Sequence, residues 1–192
     1  MKHLELKKIV LIGASTGGPG QIQKIIDSLP QLKNTSIIIA QHMVDGFLDS
    51  FSKRLQNSTK NSVSLVKNDQ ILKNSTIYIC EGKTYLNIKA SSLEFIYESA
   101  PLNSFNPDIN TLFHSFVPLT KDIEILSVIL TGIGDDGVEA CSFLGKNGAR
   151  CITENQSSAI VDGMPSRARL LVDGIEAYNI NDIVKIISEF CE

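Results

Sequence analysis

Apolar and polar positions along this chain alternate between two rhythms. Short runs dominated by β-branched residues, "KKIVLIG" and "SIIIAQH", have the length and composition of buried strands. Between and after them the apolar positions spread to helical spacing. "GPGQIQKIIDSLP" reads as a helix with Pro19 near its first turn and Pro30 beyond its end. "DGFLDSFSKRL" places Phe47, Leu48, Phe51 and Leu55 on a helical repeat, with Asp45 as the expected N-cap. The same alternation returns after about residue 105. It runs through "NPDINTLFHSFVPLT" as helix, "IEILSVILTG" as strand, "DDGVEACSFLGKNGA" as helix and "RCITE" as strand. A helix near 165–171 and another in "INDIVKIISEF" close the chain.

Residues 60–100 have a different texture. "SVSLV", "TIYIC", "TYLNI" and "SLEFIY" are short strand candidates separated by Asn, Gly, Lys and Ser. They predict a short antiparallel excursion attached to the main sheet, since no linker sets them apart. The predicted fold class is therefore α/β, a doubly wound, mostly parallel sheet with helices on both faces. Residues 1–192 read as one domain, because a chain of this length buries roughly 70% of its unfolded surface in a single core. No internal repeat interrupts this picture.

Composition narrows the function classes. With 43% hydrophobic and 20% charged residues the chain matches an ordinary globular protein. A formal charge of −3 without a basic stripe argues against nucleic acid as a partner. The opening "MKHLELKKIVLIG" has an apolar run of only about five residues, too short for a signal peptide. No span approaches the roughly 20 apolar residues of a membrane helix. The expectation is a cytoplasmic protein without direct membrane insertion. Cys80, Cys141, Cys151 and Cys191 form no C-x-x-C pair, so buried free thiols are expected rather than a metal site or a disulfide framework.

In open α/β sheets ligands bind beyond the carboxyl ends of the strands. Three such ends carry chemistry here: Ser15 after the first strand, Gln41 and His42 after the second, Asp135 and Asp136 after "ILSVILTG". Gly13-Ala14-Ser15-Thr16-Gly17 fits G-x-S-x-G, a tight strand-to-helix turn that presents a serine hydroxyl. Such a hydroxyl is a weak nucleophile until a base takes its proton, and a carboxylate normally orients that base. Serine, histidine and aspartate supply the three roles. Blander readings stand beside this one. The glycine turn could hold a phosphate or nucleotide at a helix N-terminus, although this turn lacks the G-x-G-x-x-G spacing and no G-K-[ST] follows it. His42 could be a hydrogen-bonded structural residue, and Asp135 and Asp136 could cap the helix that follows. His3 in the N-terminal lead-in and His114 within a helix have no evident partner.

"IGASTGGP", "AQHM" followed by "GF…SF…RL", "NTLFHS", "VILTGIGDDG" and "ENQSSAIVDGMP" together resemble the catalytic domain of the chemotaxis receptor protein-glutamate methylesterases, the CheB family. The resemblance covers nearly the whole chain. It implies a serine hydrolase that removes methyl esters from glutamyl residues of chemoreceptors, releasing methanol, and that often deamidates receptor glutamines. It implies Ser15 as nucleophile, His42 as general base and Asp136 as orienting carboxylate, the aspartate directly before glycine in G-x-G-x-D-G. Thr16 and Ile133 fall where the family supports the pair and the oxyanion, and Met164 and Pro165 where it shapes the pocket. No cofactor or metal is expected. The implied partners are methyl-accepting chemoreceptors, approached on their cytoplasmic helical region. Relatives commonly carry an N-terminal receiver domain, whereas this sequence starts about a dozen residues before Ser15, so a catalytic domain alone is expected. Val44 and Asp45 replace two prolines common after "QHM", and "NSFNPDINTLF" lacks the basic residues usual there. These departures leave room for a catalytically weak docking module of the chemotaxis system.

Overall fold

Strands whose residues are apolar on both faces must be covered on both, and the chain does this with two layers of helices. The computed structural model describes residues 6–44, 46–89, 92–99 and 106–192. In chain order the elements are β1 (Lys8–Ala14), α1 (Gly18–Asp27), β2 (Thr35–Gln41), α2 (Phe47–Ser58), β3 (Ser62–Leu65), β4 (Gln70–Ile71) and β5 (Thr76–Cys80). They continue with β6 (Lys83–Ile88), β7 (Leu93–Glu98), α3 (Ile109–Phe116), β8 (Glu124–Ile129), α4 (Val138–Lys146), β9 (Arg150–Glu154), α5 (Gly163–Leu171), β10 (Glu176–Tyr178) and α6 (Ile180–Cys191).

Seven strands form the main sheet in the order β10-β9-β8-β1-β2-β5-β3, and each neighbouring pair is parallel. Side chains alternate across it. Ile9 and Leu11 enter a core shared with α3, α4 and α5, while Val10, Ile12 and Ala14 enter a second core with α1, α2 and α6. Fully burying each Ile or Leu stabilises the fold by about 1.5–3 kcal/mol. The helices answer this pattern: Ile22, Ile25 and Ile26 of α1 and Ile180, Ile183 and Ile187 of α6 are the buried apolar faces packed onto the sheet.

The segment 60–100 contains the expected antiparallel excursion together with two strands of the main sheet. β3 and β5 belong to the parallel sheet, with β5 paired to β2 on one side and β3 on the other. Only β4, β6 and β7 are antiparallel, and they form a separate three-stranded sheet in the order β4-β7-β6. The burial pattern gives the reason. In β5 four consecutive residues are buried, as a central parallel strand requires. In β6 buried Thr84 and Leu86 alternate with partly exposed neighbours, the signature of a one-faced sheet. β10, a three-residue edge strand, has no apolar run to announce it.

Asp45, His3 and residues 103–105 of the "NSFNP" stretch lie outside the described residues; α2 follows Gly46, at φ 84°. All four cysteines are buried and free. Among the described residues no helix is long and apolar enough to cross a membrane. From β1 the chain winds out through β2 to β5 and β3, then resumes on the other side of β1 with β8, β9 and β10. The winding reverses at β1, which places the switch point at the carboxyl end of that strand.

Candidate active site

Ser15 leaves the carboxyl end of β1 at that switch point. Ala14 is in register with Gln41, so Ser15 and His42 emerge side by side from adjacent strands, and the His42 N–H donates to Ala14 O at 2.9 Å. Adjacent strands are only about 4.8 Å apart, which fixes the two residues as neighbours. The Gln41 side chain is wedged beneath them: its Nε2 donates to Ser15 O and to His42 O, both at 2.8 Å. From the other flank, the Ser15 N–H donates to Thr131 O at 3.0 Å, in the segment that continues β8.

The turn after Ser15 depends on Gly17, whose φ of 86° is costly for any other residue. Ile160 lies over it, with its Cβ only 2.6 Å from where a Cβ at position 17 would stand. Gly132 is equally constrained: a Cβ there would stand 2.3 Å from Met164 Sδ and 2.7 Å from Ser15 Cβ. Absence of a side chain at 132 lets the segment after β8 lie directly against the Ser15 turn.

Asp136 reaches the same place by a different route. Its side chain is 2% exposed, and Oδ2 lies 2.8 Å from Nε2 of His42, itself 13% exposed. Oδ2 also accepts from the Ile109 N–H at 2.9 Å, and Oδ1 from the Asn110 N–H at 2.9 Å. The carboxylate thus sits on the N-terminus of α3, where two unpaired backbone donors and the helix dipole favour a negative charge. The alternative reading of Asp136 as a cap for the helix that follows it is corrected here. That helix, α4, is preceded by Gly137 at φ 87° with no side-chain cap. Asp135 is exposed.

A carboxylate that accepts at Nε2 sets the imidazole as the Nε2–H tautomer and leaves Nδ1 as the acceptor nitrogen. Of the supporting residues named from sequence, Thr16 is exposed on the turn and Ile133 has a side chain 64% exposed. Their backbone N–H groups donate to no acceptor among the described residues. Met164 is fully buried against Gly132, and its N–H donates to Gly132 O at 2.8 Å. Pro165 is buried in the first turn of α5. His114 packs its ring on Phe143, with centroids 4.9 Å apart. No group of three His, Cys, Asp or Glu residues that could hold a metal ion occurs among the described residues.

Sequence reasoning missed Thr131 and Glu154. Glu154 is buried at the end of β9, and Thr131 lies just past β8. Both are polar residues at strand ends, the same signal that singled out Ser15, His42 and Asp136.

A doubly wound α/β domain with serine, histidine and aspartate converging on its switch point is the class that this fold and site define. A protein-family model described as CheB methylesterase matches residues 10–187. The chain belongs to the CheB methylesterase family. It is similar to the protein-glutamate methylesterase/protein-glutamine glutaminase of group 3 operon from Rhizobium meliloti (strain 1021). The two are 36% identical over 160 residues, covering 83% of this chain and 45% of that protein. The protein-glutamate methylesterase/protein-glutamine glutaminase of Methanosarcina barkeri is 34% identical over 95% of this chain and 53% of its own length. The crystal structure of the Thermotoga maritima CheB methylesterase catalytic domain matches with a TM-score of 0.85 at 26% identity. That match covers 95% of this chain and 98% of that one. The chain spans about half the length of these curated relatives.

Proposed function

We propose that this chain hydrolyses γ-glutamyl methyl esters on methyl-accepting chemoreceptors, with Ser15 as nucleophile, His42 as general base and Asp136 as its orienting carboxylate. The observation that carries this reading is the buried Asp136 carboxylate holding His42 Nε2 beside the Ser15 turn. His42 Nδ1 takes the Ser15 Oγ proton as the oxygen attacks the ester carbonyl. The same imidazole then returns the proton to the departing methoxide, and methanol leaves. Water, deprotonated by His42, attacks the acyl-serine, whose collapse regenerates Ser15 and frees the glutamate carboxylate.

The N–H groups of Thr16 and Ile133 are the donors for the oxyanion, a contribution of roughly 2.7–4 kcal/mol per donor. A receptor glutamine enters the same sequence with ammonia as leaving group, which gives deamidation. The rim suits a protein surface: Val44 is 74% exposed, and Phe47, Ile133 and Ile160 are also largely uncovered. The cytoplasmic helical region of the receptor is the part that presents such side chains outward, one turn after another. The test is methanol release from methylated chemoreceptor membranes. Release by this chain and a loss of about a thousandfold or more in Ser15→Ala is expected; equal release by a folded Ser15→Ala protein would overturn the assignment.

A further inference from the structure

The Glu154 carboxylate is fully buried, and the steps above make no use of it. Its Oε1 accepts from Gln21 Nε2 at 2.7 Å and from Ser158 Oγ at 2.9 Å, and its Oε2 from the Thr131 N–H at 3.0 Å. All three partners donate, so the ionised carboxylate satisfies them together. Among the described residues no lysine or arginine nitrogen lies within ion-pair distance of it. The charged groups near it are Lys24 of α1 and the Arg169–Asp162 pair. The Arg169 guanidinium donates to the backbone O of Glu154 at 2.9 Å. Burial pushes the Glu154 carboxyl above the usual carboxylate range, against the pull of its three hydrogen bonds and of Lys24. An ion kept there without a counter-ion works against the stability of the fold.

What the ion holds is Thr131. The Thr131 carbonyl accepts the Ser15 N–H at 3.0 Å, and its hydroxyl donates to Thr16 O at 2.9 Å while accepting the Val161 N–H at 2.8 Å. One residue therefore grips the nucleophile's turn at two successive positions, and Glu154 fixes that residue through its own N–H. We propose that Glu154 is a positioning residue for Ser15, acting through Thr131 on the backbone of residues 15 and 16. The proposal rests on Ser15 being the nucleophile. Displacing a reacting group by about 1 Å costs on the order of a hundredfold in rate, so a peptide anchored by a charged acceptor is a direct lever on turnover.

Glu154→Gln keeps the volume but turns an amide donor toward groups that are themselves donors. Methanol release, read well below the melting transition of the variant, should show kcat reduced at least tenfold with KM within twofold of the parent. Thr131→Val removes the hydroxyl bonds to Thr16 and Val161 and serves if Glu154→Gln does not fold. It should show the same kcat-only loss, and where both variants fold, the double variant should lose less than the product of the two. An unchanged kcat in the folded variants, or a loss that appears in KM, overturns the proposal. If the parent protein releases no methanol, or Ser15→Ala releases as much, the hydrolase reading itself fails.

Discussion

Asp136 serves two structures with one carboxylate, and its replacement should register in both. Asp136→Asn keeps the shape but presents an amide donor toward the N–H groups of Ile109 and Asn110 or toward His42. Turnover should fall by about 10⁴-fold, because the imidazole loses the acceptor that fixes its tautomer. Stability should fall by about 1–3 kcal/mol from a buried donor left unpaired. Methanol release and urea denaturation on the same preparation measure the two losses separately. Ser15, His42 and Asp136 were legible because each is a reactive type at a strand end, and family motifs separated Asp136 from exposed Asp135. Thr131 and Glu154 also stand at strand ends, but what they do rests on hydrogen bonds between their side chains and main-chain groups of the Ser15 turn and of residue 131, which no spacing in the sequence marks. The contact of Asp136 with α3 was equally hidden, because it joins residues 26 and 27 positions apart through main-chain donors.

Among the elements, the parallel strands and their helices were readable wherever burial is two-sided, as in β1, β2 and β8. The reading blurred where strands are short or one-faced: β3 and β5 joined the main sheet, and β10 went unseen. The turns joining strand to helix carry the sharpest constraints. At Gly17, a Cβ meets both an unfavourable φ, worth roughly 1–2 kcal/mol, and the Ile160 side chain. Gly17→Ala should lower the melting temperature along with activity. Gly132→Ala should behave differently, since its Cβ displaces Met164 and Ser15. Methanol release is expected to fall at least a hundredfold while circular dichroism stays native, because about 1 Å of movement at a nucleophile has that effect.

For the molecule as a whole, the raised Glu154 carboxyl ties stability to pH in a definable direction. Its unfolded counterpart titrates near about 4.3, and a higher folded value means the native state holds the proton more tightly. The stabilising contribution is therefore full below that unfolded value and is lost as pH rises through the folded one. Carboxylates such as Glu94 and Glu176, drawn below their ordinary range by Lys89 and Arg150, act with the opposite sign. Subtracting wild-type from Glu154→Gln stability cancels them. The gap should move in favour of the variant between pH 4 and 8, read by denaturant melts across that range. The topology carries one more consequence. His42 and Asp136 are 94 positions apart, with β1 and its serine between the strands that deliver them. Ser15 and His42 come first in the order of synthesis, and the carboxylate arrives only with the segment after β8, on the other side of β1. The grouping of Ser15, His42 and Asp136 is thus assembled only when β8 and the segment after it have docked against β1.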